Sequence, residues 1–224
     1  MNYLMVKRLI LKDWYLQRKL ILGALIGGAV SLGIIMVGGK ATFMVGLILL
    51  LTVLIATGAM VAMYTTVQER KDQTLAFVMS LPISYREYTA AKLLGNLLIF
   101  MIPWLALVLG SLGLFIVPHG IPHGLFPFTA IMSTEILLST CLIVAVAIVT
   151  ESQSWCIAAI LVGDLAINIV GYYVAHIPSI AQGMQGSTIQ WTSTASTLLV
   201  AELAMIVLLF AGTFFLQSRK RDFL

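Results

Sequence analysis

QERKDQTLAFVMSLPISYREYTAAK, residues 68–92, carries seven charged side chains in a chain of 224 residues that is 60% hydrophobic and only 10% charged. The mean hydropathy is +1.04, whereas globular proteins sit near about 45–50% apolar and about 25% charged. Such a chain is built for a bilayer, and the quoted stretch is the part of its middle that must stay in water. The fold follows by reading outward from it.

Six apolar runs surround the stretch, at residues 20–37, 41–67, 93–117, 125–150, 155–174 and 196–216. A helix rising about 1.5 Å per residue crosses about 30 Å of hydrocarbon in about 20 residues, so each run is long enough to span. The expected fold is a single all-α transmembrane domain over residues 1–224, with no room left for a soluble catalytic domain. Six crossings bring both termini to one side. No cleavage pattern follows the first run, which is expected to remain as an anchor.

Charge sets the orientation. Lys7, Arg8, Lys12, Arg18 and Lys19 precede the first run, Arg70, Lys71, Arg86 and Lys92 lie in the quoted stretch, and Arg219, Lys220 and Arg221 follow the last run. Lys40 stands alone on the other side, so twelve of thirteen basic residues share one compartment. The positive-inside rule makes it the cytoplasm, for a multi-pass protein of the bacterial cytoplasmic membrane with both termini inside. The net charge of +4 is this topological bias, and no nucleic-acid partner is expected.

Residues 1–19 are expected to form an interfacial helix, with Arg8, Lys12, Tyr15 and Lys19 on one stripe and Trp14 at the headgroup level, before the chain turns into the membrane. Asp13 and Gln17 fall among its apolar residues and spoil the pattern.

Within the quoted stretch, Pro82 lacks a donor and biases Leu81 out of helical geometry, so one helix ends there. Ser84 and Glu87 form the capping box of the next, with Ile83 and Tyr88 at the staple positions. That second helix continues through Lys92 into the third span. Before the break, Leu75, Val78, Met79 and Leu81 recur at helical spacing behind Glu69, Arg70, Lys71 and Asp72. A short helix with an apolar side, held in water, needs a surface to cover it.

At residues 69–92 the chain resembles the permeases of ABC type-2 transporters: an acid followed by bases, Thr-Leu, Ser-Leu-Pro-Ile-Ser, a further Glu and a closing Lys. The layout of six spans with an amino-terminal interfacial helix is similar over the whole chain. In that family the segment is a coupling helix that docks on a separate ATP-hydrolysing subunit. The resemblance carries that role to Glu69, Thr74, Leu75, Leu81, Pro82, Ser84, Glu87 and Lys92, and the apolar spacing adds Val78. Gln73, Tyr85 and Ala91 depart from the pattern, where glycine, arginine and glycine are common. The resemblance implies two copies of the ATPase, which bind ATP and magnesium, and a second permease chain, identical or different. No cofactor is expected on this chain. It has no nucleotide-binding loop of its own: GGKAT at residues 38–42 lacks the hydroxyl after the lysine.

Three acids fall inside the apolar runs: Glu135 near the middle of the fourth, Asp164 near the middle of the fifth and Glu202 in the outer half of the sixth. Ionisable groups in lipid are costly and face a bundle interior or a water-filled path. A substrate pathway for cations, a proton relay, and plain hydrogen bonding to Ser133, Thr134 or Asn168 each use such residues. Cys141 and Cys156 read as packing residues. His119 and His123 sit in a Pro- and Gly-rich loop unsuited to a metal site, and Gly23 and Gly27 form a G-x-x-x-G at which another helix can approach.

No catalytic residues are expected, since no protease or metalloenzyme pattern occurs. These features lead to the permease of an ABC exporter, energised by a partner ATPase and moving an amphipathic peptide, drug or lipid-like cargo. The alternatives are a proton-coupled secondary transporter using Glu135 and Asp164, and a membrane immunity or scaffold protein.

Overall fold

A computed structural model describes residues 3–71, 85–115, 122–184, 186 and 188–219. The described chain is almost entirely helical: α1 (Tyr3–Met36), α2 (Lys40–Ala62) running through a π-helical turn (Met63–Val67) into α3 (Gln68–Lys71), α4 (Tyr85–Gly113), α5 (Phe126–Thr150), α6 (Gln153–His176), α7 (Pro178–Met184) and α8 (Ser193–Ser218). A single 3-10 turn, His123–Leu125, leads into α5. Six of these helices, α1, α2, α4, α5, α6 and α8, are long and apolar enough to cross a membrane. Each coincides with most of one of the six apolar runs.

The amino-terminal segment departs from expectation. No turn separates residues 1–19 from the first span among the described residues; α1 is one helix of 34 residues, about 50 Å at the usual rise. Its first twenty residues contain neither glycine nor proline to break it. One buried stripe, Val6, Leu9, Asp13, Ile21, Ala24, Ser31 and Ile35, runs along most of its length. Asp13 is therefore no blemish on an amphipathic surface. It occupies a core position.

Nearly all of α5 is buried, whereas α6 and α8 expose most of their length. The main apolar core gathers around α5, where Ile136, Leu137, Leu138 and Cys141 meet Leu50 and Leu54 of α2, Phe100 and Leu107 of α4, Ile167 of α6 and Ile206 of α8. The α4–α5 contact also carries a hydrogen bond from Trp104 Nε1 to the Ser133 carbonyl at 2.9 Å. Hydroxyls inside the spans donate mainly to the carbonyl four residues earlier: Ser31 to Gly27 O at 2.8 Å, Thr57 to Val53 O at 2.6 Å, Thr140 to Ile136 O at 2.9 Å. Within lipid, where no water is at hand, this satisfies them without a second helix.

The bundle has two distinguishable ends. At the basic end lie the start of α1, the π-turn, α3, the start of α4 and the α5–α6 turn; buried Gln217 of α8 donates there from Nε2 to the Ile148 carbonyl. At the far end Gly38 and Gly39, with φ of 84° and 102°, make the α1–α2 turn in a region that a Cβ disfavours. Also there, Phe126 packs edge-on against Phe115 and Trp191. The far-end connection between the fifth and sixth spans is more than a loop, since it holds α7, with Ile180 buried beside Ile131 and Ala195.

The close approach of α1 and α2 includes Gly27 of the G-x-x-x-G, where a Cβ would lie 3.2 Å from Val53 Cγ2, and is tighter still at Gly46. A Cβ on Gly23 would meet nothing within 4 Å, whereas one on Gly46 would lie 2.5 Å from Ile35 Cγ1 and 2.9 Å from the Ser31 carbonyl oxygen. The expected result is that Gly46→Ala destabilises the purified protein by about 1–3 kcal/mol, the usual cost of overpacking, and that Gly23→Ala changes its thermal midpoint little. Equal midpoints for the two variants would refute this helix contact.

Candidate functional site

The quoted stretch enters and leaves the bundle at one point. Its entry residue, Glu69, sits on α3, and its exit residue, Lys92, lies two turns into α4. Residues 72–84 lie outside the described residues, and with them Thr74, Leu75, Val78, Leu81, Pro82 and Ser84. Of the residues that the resemblance assigns to coupling, Glu69, Glu87 and Lys92 are described, and all three are buried.

Lys92 is 1% exposed. Its ammonium lies 2.8 Å from Asp13 Oδ2 on α1, 2.8 Å from Glu69 Oε2 on α3 and 2.7 Å from the carbonyl oxygen of Thr65 in the π-turn. Lys12 completes the group. It pairs with Glu69 Oε1 and lies 3.4 Å from Asp13 Oδ1. Each lysine thus contacts both acids, and the four charges close a ring with no net charge.

The chemistry explains why four are needed. Taking an ammonium out of water costs several kcal/mol even after the protein relaxes, and one carboxylate seldom offsets this. Lys92 donates hydrogen bonds to the Asp13 carboxylate and the Thr65 carbonyl, and Glu69 Oε2 adds a second opposite charge at 2.8 Å. Two carboxylates facing one lysine would leave an excess negative charge, which Lys12, at the partly open edge, removes. An apolar floor of Val6, Leu9, Tyr88 and Ala91 closes the ring from beneath, and the Tyr88 ring centroid lies 5.9 Å from the Lys92 ammonium.

The π-turn belongs to this arrangement. In it the N–H of Gln68 reaches back five residues to the Met63 carbonyl, and the widened turn presents Thr65 O to the Lys92 ammonium. The Thr65 hydroxyl bridges the Val61 carbonyl, at 2.8 Å, and the Asn96 side-chain amide one turn beyond Lys92. Residues of α1, of the end of α2 and of the start of α4 are therefore fastened together where the stretch 72–84 departs and returns.

Sequence reading names Glu69 and Lys92 but not Asp13, Lys12 as a partner, Thr65 or Asn96. The signal for Asp13 is present in the spacing: it follows Val6 and Leu9 at steps of three and four, the positions of the buried stripe.

The three intramembrane acids lie on three different helices, α5, α6 and α8. Glu135 on α5 and Glu202 on α8 are both buried and lie within electrostatic reach of each other. Asp164, half-buried on α6, has an Oδ1 with no hydrogen-bond partner. The donors expected to hold these acids are engaged with their own helices: Ser133 with Thr129 O, Thr134 with Ala130 O, and Asn168 Nδ2 with the backbone oxygen of Asp164. Among the described residues, no lysine or arginine pairs with any of the three.

A cavity of about 240 Å³ opens in the far half of the bundle between α1, α2, α4 and α5; its walls are apolar apart from Ser111, Thr129 and Ser133. Cys141 and Cys156 are free thiols in the core. Neither a curated protein nor a solved structure matches the chain. The model of the ABC-2 family transporter proteins matches residues 8–218, from the base of α1 to the last residue of α8, and the chain belongs to that family of transporter membrane proteins.

Proposed function

We propose that the chain is the permease of an ATP-driven exporter, that a separate ATPase, in two copies, docks on residues 72–84 at the basic end, and that two permease chains enclose the pathway. ATP and magnesium then bind to the ATPase and not to this chain. The basic end faces the cytoplasm of a bacterial cell in this reading, as its arginines and lysines favour. The observation that carries it is the four-charge ring. A segment whose entry and exit are both fastened to α1, α2 and α4 can pass a displacement imposed from outside into three membrane helices at once. A surface loop with free ends could not.

The exposed exteriors of α6 and α8 and the apolar far-end cavity fit a cargo that partitions from lipid, such as an amphipathic peptide, drug or lipid-like compound. The test is purification of the full chain from its native membrane. The expected result is an ATP-hydrolysing subunit recovered with it in stoichiometric amount, together with ATP-dependent transport in reconstituted vesicles. A chain that transports in response to a proton gradient with no ATP present would refute this function and establish the proton-coupled alternative.

A further inference from the structure

We propose that the apolar cavity in the far half of the bundle is a slot for one acyl chain of a far-leaflet phospholipid, a resident of the bilayer held whether or not cargo is present, which goes beyond the permease reading above. Four helices shape it. Val108, Ser111 and Leu114 of α4 and Ile35 of α1 form a buried back wall. Phe43, Leu47 and Leu51 of α2 and Phe128, Thr129 and Met132 of α5 line it too but are only half-buried. The slot therefore opens sideways between α2 and α5, toward the outside of the bundle.

Its length matches one leaflet. On α2 the lining runs from Phe43 to Leu54, and beside α5 from Leu125 to Ile136, in each case about 16 Å at the helical rise. Both stretches begin at the far end of their helices and stop at the main core, to which Leu54, Leu107 and Ile136 belong. Half of a hydrocarbon layer of about 30 Å is about 15 Å. The slot thus reaches from the far end to the middle of the bundle and is closed there.

Its chemistry excludes the other occupants. Among the described residues no charged side chain lines it, so it takes a tail and not a headgroup. The three hydroxyls on its wall are already engaged with their own helices: Ser111 donates to Val108 O at 2.8 Å, Thr129 to Leu125 O at 3.0 Å and Ser133 to Thr129 O at 2.6 Å. The Ser133 carbonyl in turn accepts from Trp104. Water needs two to four polar partners and finds too few here. Left empty, the walls would forgo dispersion contacts on one side, and the volume of about 240 Å³ exceeds the roughly 150 Å³ at which an apolar cavity takes up benzene. A helix with its side chains is about 10–12 Å across, too broad for such a space, so a second copy of the chain cannot fill it. A flexible hydrocarbon tail from the adjoining leaflet can.

The experiment transfers the full chain, with no ATPase and no nucleotide, from nanodiscs of phosphatidylcholine into dodecyl maltoside, washes until free lipid is gone, and weighs the intact protein by native mass spectrometry. The expected result is one phosphatidylcholine retained per chain. When that lipid carries a diazirine midway along an acyl chain, irradiation of the washed complex should attach it to Leu51, Leu107 or Met132 in the slot, and not to Leu105 or Leu109 on the outward face of α4. Val108→Phe and Ser111→Phe, each of which puts a ring into the slot, should lower the retained fraction by about tenfold or more, because displacing even two buried methylenes weakens binding by about that much. Leu109→Phe, on the outward face, should change nothing. A parent chain that retains no phospholipid, that retains a fatty acid instead, or that is labelled on Leu105 and Leu109 overturns the proposal. So do folded Val108→Phe and Ser111→Phe variants that retain lipid like the parent; if neither variant folds, the labelling of the parent decides alone. A chain that holds the lipid but recruits no ATPase defeats the permease reading alone; one that recruits the ATPase but holds no lipid defeats this inference alone.

Discussion

Lys92→Ala is expected to destabilise the protein by about 3–5 kcal/mol, the cost of breaking a buried ion group by removing one partner. The loss of packing is minor beside what remains: Asp13 and Glu69, each largely buried, would lose the buried ammonium that both contact, while Lys12 is 38% exposed at its side chain. The Thr65 carbonyl would lose its donor too. Removing a second charge should recover much of this. In Lys92→Met combined with Asp13→Asn, only the pair Lys12 and Glu69 stays charged, and the site is neutral again. Thermal unfolding of the purified protein in detergent, analysed as a double-mutant cycle, measures both. A loss below about 1 kcal/mol for Lys92→Ala, the size of an ordinary surface pair, would show that the ring does not hold the three helices.

The second large effect concerns the segment that the ring anchors. Val78→Asp is expected to abolish transport-stimulated ATP hydrolysis and to weaken recovery of the ATPase, while the permease still inserts and dimerises. Leu75, Val78 and Leu81 supply the apolar side of the short helix read from the sequence, and a carboxylate among them would be buried unpaired against the partner subunit. Lys71→Glu, in the charged part of the segment, should matter far less, because surface pairs are worth roughly 0–1 kcal/mol. Purified complexes compared side by side decide the matter. Full ATPase recovery and stimulation with Val78→Asp would remove residues 72–84 from the docking role.

Some of this architecture is legible in the residues and some is not, for a physical reason. Spans reveal themselves because a run of about 20 apolar residues has few other uses; α5 matches residues 125–150 to within one residue. The continuity of α4 through Lys92 is equally local, following from the helical spacing beyond Glu87. The ring is a different kind of object. Lys92 meets Asp13 across 79 positions of sequence and Lys12 meets Glu69 across 57, and periodicity describes only the helix on which a residue sits. Asp13 looks like a flaw until its partner is placed beside it.

The separation of the ring's members along the chain also has a consequence in time. Synthesis proceeds from the amino terminus, so Lys12, Asp13 and Glu69 exist before Lys92 has been made. During that interval the first two spans can be threaded into the bilayer, but the buried ammonium that both carboxylates contact in the finished bundle is not yet there. The hairpin of α1 and α2 is then held ajar at its base until the third span starts to emerge, and the arrival of one ammonium lets all three be drawn together. Assembly of this half of the bundle thereby acquires an order, with closure of the base following the birth of its last member.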